Sequence, residues 1–546
     1  MKRGMYVKTM TKKKLIAILV IAVLIFAAIY YYVTLPAINI HASGFWMFIF
    51  SIITILILAY GLHRKFKKED TFEEIKNNKI IKGSIFALLG LAIIYLIGTI
   101  LSSPIVNAKK YRQLIVVENR EFAEDIQQVD YSQIPLLDKD SAALLGNRKM
   151  GSMVDMVSQF EVSDLYSQIN YNGKPVRVTP LVYASPIKWI MNQSDGIPAY
   201  IMIDMATQNT ELVKLEEGIR YSQSEYFNRK IDRHLRFRYP TYIFDQLSFE
   251  IDDDGTPYWI CPVRDYTIGL FGGETIGKVV LCNAVTGDTE EYEVEDCPQW
   301  VDRVFPADML IQHYDYYGEL VNGYLNSVLG QSGCLQTTEG YNYIAMEDDI
   351  WVYTGITSVS GDESNVGFVL MNQRTHEVRY YQINGAEEYS AMESAQGQVQ
   401  HLGYTATFPL LINVANQPTY FMALKDEAGL VKMYAMVNIQ KYQNVAIGDT
   451  VAECEKAYVE MMDKNGISAD HNETAEKITG TIEKIAQTVV DGNSRFYLVL
   501  NNSDLIYEIE FADCIDIIRY KEGDKISLSY FEKDNVASVL SIERKE

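Results

Sequence analysis

Hydrophobic and polar positions divide the chain into two regimes. Before residue 106, three runs lack Asp, Glu, Lys and Arg: 15–35, 45–62 and 83–101. At about 1.5 Å per helical residue, each is of a length to cross a hydrocarbon layer of about 30 Å. After them, short apolar stretches alternate with polar turns and with amphipathic helical stretches at 224–237, 307–329 and 390–402. Beyond residue 475 the helical period disappears. Strand-like runs at 478–489, 495–500, 505–511, 515–519 and 525–531, with a last segment to 542, are separated by Asp, Asn and Gly turns.

The predicted fold class is a three-helix transmembrane anchor followed by an α+β extracytoplasmic region and a terminal all-β barrel. The anchor takes residues 1–105 and a connector takes 106–165. Residues 166–462 hold about four helix-plus-antiparallel-sheet units. A linker at 463–475 precedes a small barrel at 476–546, similar to an OB-fold.

Self-similarity supports the repeat. Gly173-Lys174-Pro175 and Gly255-Thr256-Pro257 open strand runs in the first two units. Their hairpin turns read Asp204-Met205-Ala206-Thr207-Gln208 and Asn283-Ala284-Val285-Thr286-Gly287. A third turn reads Asn372-Gln373-Arg374-Thr375-His376. A fourth unit starts at Asn416-Gln417-Pro418 and passes a different turn, Asp426-Glu427-Ala428-Gly429, on the way to Asn438. Asn or Asp opening such a turn bonds its own backbone, and Gly accepts the left-handed conformation that closes it. Asp449-Thr450 would cap a further helix running to Met462.

These hairpins resemble the PepSY-type domain, a helix-plus-sheet module of exported bacterial proteins whose turn often reads Asp-x-x-Thr-Gly. The resemblance implies a binding, inhibitory or sensing role without catalytic residues. The whole chain also resembles a group of Gram-positive membrane proteins labelled colicin-V-production-like, and no function is drawn from that likeness.

Charge then sets orientation. Of 49 Lys and Arg, 13 lie before residue 103, against 4 of 71 Asp and Glu, so the remainder carries −31. Basic residues crowd the N-terminus (Lys2 to Lys14) and the second link (Arg64 to Lys82), while the first link, 36–44, has none. By the positive-inside rule the N-terminus is cytoplasmic and the region after the third run is outside, at the cell membrane. So acidic a region disfavours nucleic acid. The expected partners are the membrane and an envelope protein or anionic wall polymer.

Several enzyme-like motifs fail on context. Gly272 to Lys278 fits G-x-x-x-x-G-K, but Val279 stands where Ser or Thr should follow, and a strand follows instead of a helix. Ser185-Pro186-Ile187-Lys188 fits S-x-x-K without a downstream K-T-G. Consecutive carboxylates at 252–254 and 347–349 diverge in a turn, whereas calcium loops alternate their ligands. Six cysteines at wide spacing form no C-x-x-C pair, leaving one bridge among Cys261, Cys282 and Cys297 as an option. No metal site, cofactor or catalytic set is expected, and His234 and His401 read as structural.

One cluster stands out as a binding candidate: Arg229, Lys230, Arg233, Arg236 and Arg238. The plain reading is pairing with the acidic surface. The functional one is docking of an anionic polymer or an acidic partner. The expected function is a membrane-anchored scaffold or sensor without catalysis. The alternatives are an envelope-processing enzyme with a site assembled from distant residues, or an accessory subunit of an export machine.

Overall fold

The computed structural model describes residues 12–66, 78–126, 134–359, 364–464, 476–490, 493–503, 505–511, 514–533 and 536–545. Most of the 463–475 linker lies outside these, as do six of the basic residues used for orientation, Lys2, Arg3, Lys8, Lys67, Lys68 and Lys76. The chain forms two compact units, 1–120 with 132–387, and 121–131 with 388–546.

The first unit begins with apolar helices at Lys12–Thr34, Ser43–Phe66 and Lys79–Ser102. Two segments, Ser43–Leu62 and Lys79–Ser102, are long and apolar enough to cross a membrane. Apolar side chains point outward around them, among them Phe86 at 71% and Leu96 at 59% exposed. A helix that is apolar all round is matched to a hydrocarbon solvent. The first helix, with side chains described from Val20, continues the pattern with Leu24 and Val33 exposed. Trp46, Tyr95, Tyr30 and Phe48 gather near one end of the helices, where amphipathic rings favour a membrane–water boundary.

Three larger sheets, mainly antiparallel, and a two-stranded ladder of Ser364–Asn365 with Gly385–Ala386 follow in the same unit. The first pairs Lys174–Tyr183, Ile197–Asp204 and Thr210–Ile219, with Phe160–Val162 and Ser167–Tyr171 alongside. The second is a four-stranded meander: Ser248–Ile251, Pro257–Ile268, Gly272–Asn283 and Thr289–Glu293. The third centres on Asp349–Ser358, Gly367–Asn372 and Val378–Tyr381, and Val117–Arg120 joins its edge in parallel. A shared core draws on the second and third sheets and on the helix Ala307–Glu319, with Leu281, Leu310, Val352 and Val369 buried.

The three Asx turns are built alike. Asp204, Asn283 and Asn372 each accept two backbone N–H groups through Oδ1, from the second and third residues after them. In each, the Thr hydroxyl accepts the N–H two residues on. The fifth residue, Gln208, Gly287 or His376, sits at positive φ. The residue after the Asx donates to a neighbouring strand: Met205 to Pro175 O, Ala284 to Pro257 O and Gln373 to Ile350 O.

In the second unit, Gln417–Lys425, Val431–Asn438 and Val445–Gly448 form the centre of a sheet flanked by the helices Glu388–Gln398 and Val451–Lys464. Here Ile439 donates to Pro418 O. Asn438 therefore holds the place of the Asx residue, and Asp426–Gly429 is the turn one hairpin earlier. The remaining strands, Glu476–Val490, Asn493–Leu500, Ile506–Glu510, Lys525–Lys533 and Val536–Arg544, pair in a closed cycle whose one parallel contact joins the third to the last.

Three element expectations change. The 515–519 segment is a 3-10 helix, not a strand, and it turns Ile517 into the barrel core while Ile518 stays exposed. The 224–237 helix shortens to Ile231–Arg238, preceded by a 3-10 turn at Phe227–Arg229. Likewise 307–329 ends as an α-helix at Glu319 and resumes as a π-helical turn, Asn326–Gly330.

Candidate functional site

The sheets of the first unit are fastened to the ends of its apolar helices at two places. The tip between strands Pro257–Ile268 and Gly272–Asn283 reaches the end of the third helix. There Ser102 Oγ accepts from Leu270 N at 2.8 Å and Phe271 N at 3.1 Å. Tyr111 donates to Ser102 O at 2.7 Å, and His41 Nδ1 lies 2.7 Å from Leu270 O. The Phe271 ring stands 4.8 Å from Tyr95 and 6.2 Å from Trp46. The near-P-loop segment is thus the start of a strand with its tip wedged among helix ends. A Cβ on Gly272 would collide with Ser102 O and the Tyr111 hydroxyl.

The second fastening uses the basic cluster. Arg236 is buried and donates Nε to Leu35 O at 2.9 Å, just past the first helix. Its Nη1 reaches Tyr242 O at 2.6 Å, with Tyr239 and Pro240 carbonyls further off. Ile38 N donates to Pro240 O at 2.7 Å. The Arg233 guanidinium lies 4.0 Å from the centre of the Tyr32 ring, a cation–π contact. Phe237 packs between Tyr31 and Tyr32, each at 6.2 Å.

The sequence would put Arg229, Arg233 and Arg236 on one helical face, but only the last two lie on the helix. Arg229 precedes the helix and donates to Gln193 O at 2.6 Å. Lys230 approaches Asp232 at 3.9 Å, and Arg238 is exposed. Lys230 and Arg238 keep their charge toward solvent, whereas Arg236 is spent on carbonyls.

A second polar constellation was not singled out in the sequence. Glu250 and Asp302 are 0% and 1% exposed. Glu250 Oε2 accepts from Asp302 N, and Asp302 Oδ2 accepts from Asn170 N, while Asp302 Oδ1 has no hydrogen-bond partner among the described residues. Burial pushes both carboxyls well above the ordinary carboxylate range, and their mutual repulsion adds to it for Asp302. No local signal marks the pair: Ser248–Ile251 alternates polar and apolar residues like a half-exposed strand, yet all four are buried. The pair is closed to solvent, so a substrate has no path to it.

Buried His313 pairs with half-buried His376, Nδ1 to Nε2 at 3.1 Å, with His313 Nε2 2.7 Å from Glu274 O. Burial, with His313 adding to it, holds His376 down to about 3. His234 contacts Gly287 O at 2.8 Å from mid-helix, and His401 lies in the 3-10 turn Gln400–Leu402.

Other motifs resolve into structure. Ser185 Oγ caps a short helix by accepting from Lys188 N. Asp252 Oδ1 accepts from Asp254 N and Thr256 N. Glu347, Asp348 and Asp349 diverge to Arg379, Asn170 and Arg374. All six cysteines are free, five of them buried. One open groove of about 400 Å³ lies on the first sheet, lined by Tyr171, Lys174, Met202, Asp204, Asn209 and Glu211 among others.

No protein-family model matches the chain, and no curated protein does either. Among solved structures, the chain is similar at 7% identity to "Dihydro-heme d1 dehydrogenase NirN in complex with DHE". That alignment covers 69% of this chain and 56% of the other, with a TM-score of 0.12. The chain thus spans little more than half of that protein's length, and a score so low carries no argument about fold or chemistry.

Proposed function

We propose that the chain is a membrane-anchored extracytoplasmic scaffold or sensor that binds a protein or cell-envelope component. The observation that carries this reading is the double fastening of the sheets to the apolar helix ends, through Arg236 to Leu35 and through Leu270 and Phe271 to Ser102. Ligand binding on a sheet would be felt at the helices, because packed interfaces shift as units. In this reading all three apolar helices span the membrane with the sheets outside.

The four sheets are read as PepSY-like repeats, three on their common turn chemistry and the fourth on the matching Ile439-to-Pro418 bond. The terminal barrel is read as OB-like on its strand order. The groove beside Tyr171 and Lys174 offers a peptide both cationic and anionic side chains next to one aromatic ring.

The test has two arms on the full-length protein in its own membrane. Proteolysis of intact, wall-stripped cells should cut exposed turns such as 252–255, and cutting only after lysis would reverse the orientation. A photo-crosslinking residue at Tyr171 should then yield one discrete protein or polymer adduct. Failure to form any adduct, with the topology upheld, would leave an anchored domain whose ligand binds elsewhere and would remove the groove from the reading.

A further inference from the structure

We infer that the outer part of the first unit does not stand clear of the membrane but rests on it, through two apolar wedges that enter the outer leaflet beside the helices. The inference rests on the anchor reading given above and deepens it.

The first wedge is the short helix Pro186–Asn192. Ile187, Ile190 and Met191 are 67%, 60% and 66% exposed, large apolar side chains with nothing over them. The helix is nonetheless held rigidly. Ser185 caps it, and Trp189 donates to Glu225 Oε2 at 2.7 Å and packs against Tyr226 at 4.7 Å. Arg229 holds its end through Gln193 O. Phe227, at positive φ and 64% exposed, extends the same surface.

From Phe227 the contacts lead straight to a membrane helix. Arg233 Nη1 donates to Phe227 O at 2.8 Å, and the same guanidinium lies over Tyr32 in the last turn of the first helix. The wedge is thus continuous with the level at which the apolar helix ends.

The second wedge lies by the third helix. Leu325, Val328 and Leu329 are 74%, 55% and 80% exposed around the π-helical turn Asn326–Gly330. Asn326 braces the turn by donating to Ser332 O at 3.0 Å. The adjoining Tyr324 packs on a cluster containing Tyr111 and Ile268, and Tyr111 is bonded to Ser102, the last residue of the third helix. Ile105 and Val106, directly after that helix, are also exposed.

A soluble surface rarely offers such braced, bulky apolar side chains in groups. Two groups, each tied by contacts to a different apolar helix end, fit a bilayer surface. Hydrophobic side chains there bury about 5–10 Å into the headgroup and acyl boundary. Charge agrees: Lys188 lies on the wedge helix, Arg229 bonds its end, and Arg233, with Lys230 near it in sequence, bonds Phe227, in a region whose net charge is otherwise strongly negative. At headgroup depth they would face lipid phosphates. The partner of the basic cluster is accordingly the anionic lipid surface.

The experiment uses the full chain with Cys514→Ser, reconstituted in phosphatidylglycerol–phosphatidylcholine vesicles. Single cysteines at Ile190→Cys, Leu329→Cys, Leu89→Cys and Asp253→Cys carry an environment-sensitive fluorophore, and lipids with a nitroxide high on the acyl chain serve as quencher. Labels at 190 and 329 should lose about twofold in intensity, as a side chain in the interface would. The label at 253, on the turn at the far end of the strand whose tip meets Ser102, should keep its intensity. Quenching at 89 without quenching at 190 and 329 would overturn the inference and leave the anchor standing. No quenching at 89 would instead remove the anchor itself.

Discussion

Leu270 N donates to the hydroxyl of Ser102 at 2.8 Å, tying a β-hairpin tip to the last residue of an apolar helix 168 positions away. The same hydroxyl takes Phe271 N and donates to Gly98 O at 2.6 Å. Ser102 is 2% exposed, so replacing it leaves two N–H groups without an acceptor where water does not reach freely. Ser102→Ala should cost about 2–4 kcal/mol. It should also open the hairpin tip to a protease that spares the unaltered protein. Equal melting temperatures for the two proteins would show that the bond is dispensable.

Arg236 and Arg233 sit on one short helix but should respond differently. Arg236 satisfies carbonyls of Leu35 and Tyr242 from a buried position, so Arg236→Met removes charge-assisted bonds and strands the acceptors. A loss of about 3 kcal/mol is expected. Arg233→Met gives up a cation–π contact and one carbonyl bond at a half-buried site, for about 1 kcal/mol. Thermal denaturation in detergent ranks them, and the reverse order would refute the clamp role of Arg236.

The sequence announced these elements unevenly. The apolar runs and the Asx turns were legible because each depends on local chemistry: absent charges in one case, Asn-x-x-Thr spacing in the other. The true Asx residue of the last sheet, Asn438, was hidden because its loop continues to Asn444 before the next strand. The 515–519 segment mimicked a strand, since isoleucines at 515 and 517 alternate as in a sheet, yet it forms a 3-10 helix that buries Ile517. The basic cluster was visible as charge, but its division into buried clamp and open cations depends on Leu35 and Tyr32, some 200 residues earlier. Glu250 and Asp302 meet only through tertiary packing.

Gly287 closes the second Asx turn at φ +80°, directly beneath the Tyr221 ring. Its carbonyl also lies 2.8 Å from His234 Nε2. Ala there meets two penalties: about 1 kcal/mol for the left-handed backbone, and a further cost for displacing the ring. Gly287→Ala should therefore lose at least about 2 kcal/mol. Gly403→Ala, at φ +67° with open space around it, should lose only the backbone part. Equal losses in urea denaturation would mean that Tyr221 moves aside freely.

The carboxyl pair and the histidine pair push stability in opposite directions with pH. Glu250 and Asp302 have raised folded pKa values, so the fold holds a proton that the unfolded chain releases first. Their stabilisation is complete below the ordinary carboxylate range and drains away as pH rises through the folded values. His376 is depressed to about 3, so the unfolded chain takes up a proton that the fold refuses. Its contribution is full above about 6.5 and is lost as pH falls from there toward 3. Each single-proton slope is about 1.4 kcal/mol per pH unit. Denaturant unfolding across pH 4 to 9 should accordingly flatten on the alkaline side in Glu250→Gln, and on the acid side in His376→Gln. If Glu250→Gln leaves the alkaline slope intact, the carboxyl pair is not the group that sets it.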